Sequence, residues 1–247
     1  MRQWAAIATL FFAWAAVLPA AEPESTPEPA REAAPADAPD ARRVMNSAGF
    51  LLAHPDLRWR REGIAALGDG RAGEALTYFQ RAARYADKAS QAMVAEMLWT
   101  GTGVPVDRPR AYAWMDIAAE RAYIPFVAKR EQYWNALSAA ERTRALEVGR
   151  RLYEEHRDDV AKERLERELA KAKRKITGSR VGNVGNLQVM IPLAGGKVFT
   201  TISGERYYDD TYWEPDQYWA WQDSIWKDPP IGTVNVKPLE VVRPGDD

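Results

Sequence analysis

The sequence predicts a mainly α fold: a short α/α helical-repeat (solenoid) array followed by a small aromatic-rich C-terminal module that contains β-strands. Three observations carry this. Small and aromatic residues recur with one spacing in two stretches 36 positions apart. Dense turn chemistry, GTGVPVD, stands directly before the second stretch. Beyond Gly178 the helical period gives way to short strand-like runs and a cluster of tyrosines and tryptophans.

The 247 residues suffice for one or two domains. Lys+Arg (34) and Asp+Glu (35) nearly balance, so net charge argues for neither nucleic acid nor an anionic membrane as partner. The absence of cysteine removes disulfides, thiolate metal sites and cysteine nucleophiles together.

Residues 1–21 read as a secretory signal peptide. Arg2 is a short positive region, Trp4 to Leu18 is uncharged and apolar, and Ala20 and Ala21 offer the cleavage site. The apolar run is shorter than the roughly 20 residues a membrane span needs. The expected location is the periplasm or the exterior, with no stable span after cleavage; left uncleaved, the same segment is an inner-membrane anchor. Residues 22–43, EPESTPEPAREAAPADAPDARR, contain no aromatic residue and are expected to form a disordered Pro/Ala-rich tether.

The helical-repeat domain is placed at 44–156. Pro55 and Asp56 suit the start of a helix over 54–70, with Leu57, Ile64 and Leu67 on its apolar face and Gly68 and Gly70 closing it. His54, one of two histidines, is assigned to that helix start rather than to chemistry. Further helices follow at 72–87, 90–101 and 108–123. Ala75, Tyr78, Ala82 and Ala83 recur as Ala111, Trp114, Ala118 and Ala119, a period that marks a helical repeat. Alanines seven and eight apart share a face and let a neighbouring helix approach closely. Gly101 and Gly103 permit backbone angles closed to other residues, and Pro105 and Asp107 prepare the next helix.

The pattern G-x-G-V-x-x-D-x-x-x-A-x-x-W-x-x-x-A-A, carried by Gly101, Gly103, Val104, Asp107, Ala111, Trp114, Ala118 and Ala119, resembles the signature of Sel-one-like repeats, relatives of tetratricopeptide arrays. The resemblance covers about residues 60–155. It departs from the family at Arg121-Ala122, where a glycine is common after the second helix. It implies a bacterial exported protein with a binding surface for other proteins, and it carries over no catalytic residue.

Two more helices close the array, over 127–137 and 138–156. The second opens with a Ser138/Glu141 capping box and carries Ala145, Leu146, Val148 and Leu152 on one face. A charged helix follows over 157–177, with the stripe Ala161, Leu165, Leu169, Ala172 and Ile176. Lys171, Lys173, Arg174 and Lys175 at its end complement the helix dipole.

The C-terminal module spans 178–247: a glycine-punctuated linker (178–186), strands over 186–191 and 197–202, an aromatic segment over 205–230, and weaker strands at 233–236 and 239–242. Pro215 is expected to open a helix through Trp226, with Tyr218, Trp221, Gln222 and Ile225 on one face. The segment's rings have two readings, internal packing or an exposed platform. In the second, Tyr212, Trp213, Tyr218, Trp219, Trp221 and Trp226 contact a partner.

No metal-ligand spacing, phosphate-binding loop or nucleophile elbow stands in the sequence, so no cofactor, metal or catalytic residue is assigned. Carboxylates at Asp209, Asp210, Glu214 and Asp223 leave glycoside hydrolysis as a weak third reading. The leading expectation is a non-catalytic adaptor of the cell envelope that binds another protein. The alternative is a cell-wall or glycan-binding module built on segment 205–230.

Overall fold

A computed structural model describes residues 39–175, 187–192 and 198–227. The signal segment, the tether up to residue 38, the linker 178–186 and the strands expected at 233–236 and 239–242 lie outside the described residues.

The fold is mainly helical, as the patterning requires. Helices α1 (Pro39–Asn46) and α2 (Ala48–Ala53) precede three successive helix pairs: α3 (Pro55–Gly68) with α4 (Ala72–Ala83), α5 (Lys88–Thr100) with α6 (Arg108–Ala118), and α7 (Ile124–Ala136) with α8 (Ala139–His156). Helix α9 (Asp158–Lys173) follows. Strands β1 (Gln188–Pro192) and β2 (Phe199–Ser203) form an antiparallel hairpin in which Met190 faces Thr201 and Pro192 faces Phe199. Short helices α10 (Gly204–Tyr207) and α11 (Asp210–Trp213) lead into α12 (Pro215–Lys227). The first helix begins at Pro39, inside the stretch expected to be a tether, and an ion pair between Asp40 and Arg43 at 3.0 Å supports it.

Local signals account for the helix ends. Asp87 caps α5 by accepting from the Ser90 amide, and Asp107 caps α6 by accepting from Arg110. Ser138 and Glu141 form the reciprocal capping box on α8. At the corner between α5 and α6, Gly101 and Gly103 take φ of 77° and 75°, left-handed angles that a side chain disfavours.

The repeated alanines are the close-contact face. Ala75, Ala82, Ala83, Ala111 and Ala118 are fully buried, and Trp114 is 2% exposed. Ala75, Ala83, Ala111, Trp114 and Ala118 form one core with Phe79, Met97, Tyr123 and Phe126, between α3 and α7. Tyr78 is only half-buried, at the edge of this core. On α3 the apolar stripe differs from expectation: Ile64 is 60% exposed, while Gly63 and Ala66 face inward. A Cβ on Gly63 would lie 2.6 Å from the Phe79 ring, so that face is set by the room Phe79 needs and not by hydrophobicity. On α8, Ala145 is buried but Leu146 is 53% exposed.

A second core joins the two ends of the described chain. Val44, Phe50 and Ala53 from α1 and α2 meet Ala161, Leu165 and Leu169 from α9. Ile191 and Ile202 from the hairpin, and Tyr207, Tyr212, Trp213, Tyr218 and Trp219 from α10 to α12, complete it. The N-terminal helices thus pack with the aromatic segment, across the boundary that the sequence suggested between repeat domain and C-terminal module.

The turn after α6 answers the departure from the repeat signature. Ala122 occupies the left-handed position with φ 56°, and Ala86, 36 positions earlier, does the same with φ 59°. An alanine there costs about 1–2 kcal/mol. Ala122 is exposed, so no packing is lost by trimming it. Ala122→Gly should raise stability by about 0.5–1 kcal/mol once the entropy of glycine is subtracted. Urea unfolding midpoints measure this; a midpoint at or below the parent's contradicts the assigned backbone angle.

Candidate interaction surface

The six rings expected to form a binding platform are placed one by one. Tyr212 and Trp213 are 3% exposed, Tyr218 is fully buried and Trp219 is 9% exposed. Trp221 and Trp226 are half-buried. The Trp213 indole donates to the Tyr207 carbonyl at 2.7 Å and stands edge-on to Phe50 and His54. Trp226 packs on Phe126, with ring centroids 5.0 Å apart, although the helical wheel of α12 pointed it away from the other rings. Tyr212, Trp213, Tyr218 and Trp219 thus spend their area on the protein itself, because α2, α3 and α9 supply the apolar faces they need, whereas Trp221 and Trp226 keep part of their surface open. The Trp219 ring takes internal cations, Arg121 at 4.9 Å and Lys162 at 5.2 Å from its centroid.

Two buried polar clusters lock this segment in place. In the first, His54 is fully buried, its ring stacked on Phe50 at 3.8 Å. Its two nitrogens lie 2.9 Å from the Phe50 carbonyl and 2.8 Å from the Tyr212 carbonyl. Burial outweighs the two carbonyls, which favour protonation, and lowers the ring's pKa to about 4. Next to it the Tyr218 hydroxyl donates to Asp56, and Gln222 donates to Tyr218 at 3.3 Å. Burial raises the Asp56 carboxyl to about 7; the Tyr218 hydrogen bond opposes this and the nearby Asp87 adds to it. Asp87 is itself paired with Arg60 at 2.9 Å.

The second cluster was not legible in the sequence. Lys88, 2% exposed, donates to the Ile117 carbonyl at 3.0 Å and pairs with Glu120 at 2.8 Å and Asp158 at 2.9 Å. Arg121 pairs with Asp158 at 2.6 Å and donates to the Ala86 carbonyl and the Tyr123 hydroxyl. Tyr123 in turn donates to Asp223 on α12 at 2.5 Å. Although burial works against it, the Asp158 carboxyl is held well below the usual carboxylate range by Arg121 and Lys88. The only hint in the sequence was Arg121 itself, standing beside the missing glycine.

Three of the four carboxylates considered for glycoside hydrolysis are engaged elsewhere. Glu214 pairs with Lys173, Asp209 caps α11, and Asp223 holds Lys227 and Tyr123. A groove of about 550 Å³ lies between the α5–α6 corner and the start of α8. Its acids, Asp107 and Glu141, are the caps of α6 and α8. Among the described residues no group of three or more potential ligands is placed to hold a metal ion, and no helix is long and apolar enough to cross a membrane.

On the repeat helices three ring pairs lie beside cations, most of their rings half-buried. Trp59 stacks on Tyr78 at 5.6 Å, Trp99 on Tyr133 at 3.8 Å, and Tyr112 tilts against Trp134 at 4.9 Å. Of these rings only Tyr133 is fully buried.

Hairpin-stacked helices with an alanine contact face and no assigned reaction centre define a helical-repeat protein of the α/α class. Residues 68–84 and 88–123 match the Sel1 repeat, so the chain carries a short Sel1-repeat region that takes in α4 and the α5–α6 pair. Among solved structures, the chain is similar to a protective antigen of uropathogenic Escherichia coli displaying an SLR fold, at 21% identity and a TM-score of 0.39. That likeness covers 51% of this chain and 26% of the antigen, so the chain spans about a quarter of the antigen's length. No curated protein matches the chain.

Proposed function

We propose that this is a non-catalytic interaction protein that docks a partner on the outer surface of its repeat helices. One observation carries the reading: Tyr212, Trp213, Tyr218 and Trp219 of the C-terminal segment are buried as an internal lock, while on the repeats Trp59, Tyr78, Trp99, Tyr112 and Trp134 stay half-buried beside cations. Aromatic residues with a polar rim typify binding hot spots. The signal-like residues 1–21 support export, and with it an adaptor role in the cell envelope. The glycan alternative loses support, since Tyr212, Trp213, Tyr218 and Trp219 have no free face to offer a sugar.

Photo-crosslinking side chains placed at Tyr78, Tyr112 and Ile124 in living cells test this. Ile124 is 76% exposed on α7. The expected outcome is a discrete adduct shared by these sites and absent from a control site at Arg167 on α9. Adducts that do not differ between the repeat sites and Arg167 refute the surface.

A further inference from the structure

The three ring pairs differ in charge. Beside Trp99 and Tyr133, Glu96 accepts from the Tyr133 hydroxyl and pairs with Lys129 at 3.5 Å. Beside Tyr112 and Trp134, Arg130 is neutralised by Glu131 at 2.7 Å and Asp116 at 3.6 Å. Arg142, at 5.0 Å from the Trp134 ring, uses its Nε on the Trp134 carbonyl.

The pair on α3 and α4 has no such acid. The guanidinium carbons of Arg58 and Arg81 lie 4.5 and 4.8 Å from the Trp59 centroid, and Arg81 is also 5.7 Å from the Tyr78 ring. Among the described residues, neither guanidinium has a carboxylate within 4.0 Å or a hydrogen-bond acceptor. The exposed Glu62 stands one turn beyond Arg58 without pairing to it, and Glu74 is held by Arg71 at 2.5 Å. Two like charges therefore converge on one indole with their planar donor forks open. The ring contacts orient both side chains, which reduces the entropy lost when they bind. A guanidinium fork matches a carboxylate through two parallel hydrogen bonds, and the flat Trp59–Tyr78 stack suits the apolar side chains of an extended peptide.

Resting on the reading that the repeat surface docks a protein, we infer that Arg58, Trp59, Tyr78 and Arg81 receive an acidic, extended segment of that partner. Its carboxylates pair with the two arginines, and its intervening apolar or proline residues lie on the rings.

The test uses the full chain and three fluorescent probes in anisotropy titrations: a Glu-Pro repeat peptide, its Gln-Pro counterpart, and a peptide copying residues 22–38. The Glu-Pro peptide should bind about tenfold or more tightly than the Gln-Pro peptide, as expected for one charge-assisted contact. Raised salt should weaken it, and Arg58→Ala with Arg81→Ala should remove that margin while the melting temperature stays within about 2 °C of the parent. Arg58→Lys with Arg81→Lys should restore only part of it, because an ammonium lacks the fork. Equal binding of both repeat peptides, or no effect of the double alanine variant, overturns the inference. Tighter binding of the 22–38 peptide overturns it in favour of the chain's own segment as occupant. If discrete adducts form at Tyr112 and Ile124 in the parent although the parent binds no acidic peptide, this inference fails and the docking reading stands; no discrete adduct at any repeat site in the parent sinks both.

Discussion

Asp158→Ala is expected to destabilise the protein by about 3–5 kcal/mol, the usual result of removing one partner from a buried ion cluster. Asp158 is the anion that Lys88 and Arg121 share, and their side chains are 1% and 8% exposed. Glu120 remains beside Lys88 at 2.8 Å, but Arg121 is left with carbonyl and hydroxyl acceptors and a distant Asp223 at 3.8 Å. An unpaired guanidinium in that position must stay desolvated or draw water into the junction of α6, α9 and α12. For a chain of this size the loss corresponds to a fall in melting temperature of roughly 6–20 °C. Asp159→Ala, one position on, removes a surface pair between Arg157 and Asp159, whose side chains are 43% and 67% exposed, and an exposed contact with the Val160 amide, and should change little. A fall of less than about 2 °C for Asp158→Ala would show that the cluster is wet and does not lock the junction. Because the Asp158 carboxyl is lowered in the folded state, its contribution is present above the ordinary carboxylate range and is lost only as pH falls below it.

The second large effect concerns pH. The two buried groups beside Tyr218 work in opposite directions. His54, lowered to about 4, favours the unfolded state as pH falls from about 6.5 to 4, since the unfolded ring takes up a proton that the folded ring refuses. Asp56, raised to about 7, favours the folded state at low pH, and that contribution is lost as pH rises from about 4 through 7. Over the shared window the slopes largely cancel. Asp56→Asn keeps an oxygen to accept from Tyr218 but removes the opposing slope. Its stability relative to the parent should therefore grow by roughly 4 kcal/mol between pH 4 and pH 7, at about 1.4 kcal/mol per pKa unit. His156, also lowered by burial, acts equally on parent and variant and drops out of the difference. Urea unfolding at four pH values measures it. Parallel profiles would mean that Asp56 ionises in the folded protein as freely as in water, against the burial seen here.

Much of the architecture was visible in local sequence. Pro55, Asp107, the Ser138/Glu141 box and Pro215 each mark a helix start within one or two residues of where it lies. The 36-residue echo located the contact face. The binding site was harder. The density of rings in 205–230 left internal packing and an exposed platform both open, since a wheel drawn for α12 alone knows nothing of Phe126 or Glu166 on other helices. The arginine–aromatic patch on α3 and α4 escaped notice because Trp59 and Arg81 belong to different helices and form a feature only once these are paired.

By itself the sequence determined that the repeat segments are helical, where most of them start, and that alanines line the seam, because capping, turn angles and periodicity depend on neighbours a few positions away. Only the tertiary structure decided that Asp56 meets Tyr218 and that Tyr123 meets Asp223. Those partners lie a hundred or more positions apart, and burial assigns their charge and exposure only after three separate elements close around them.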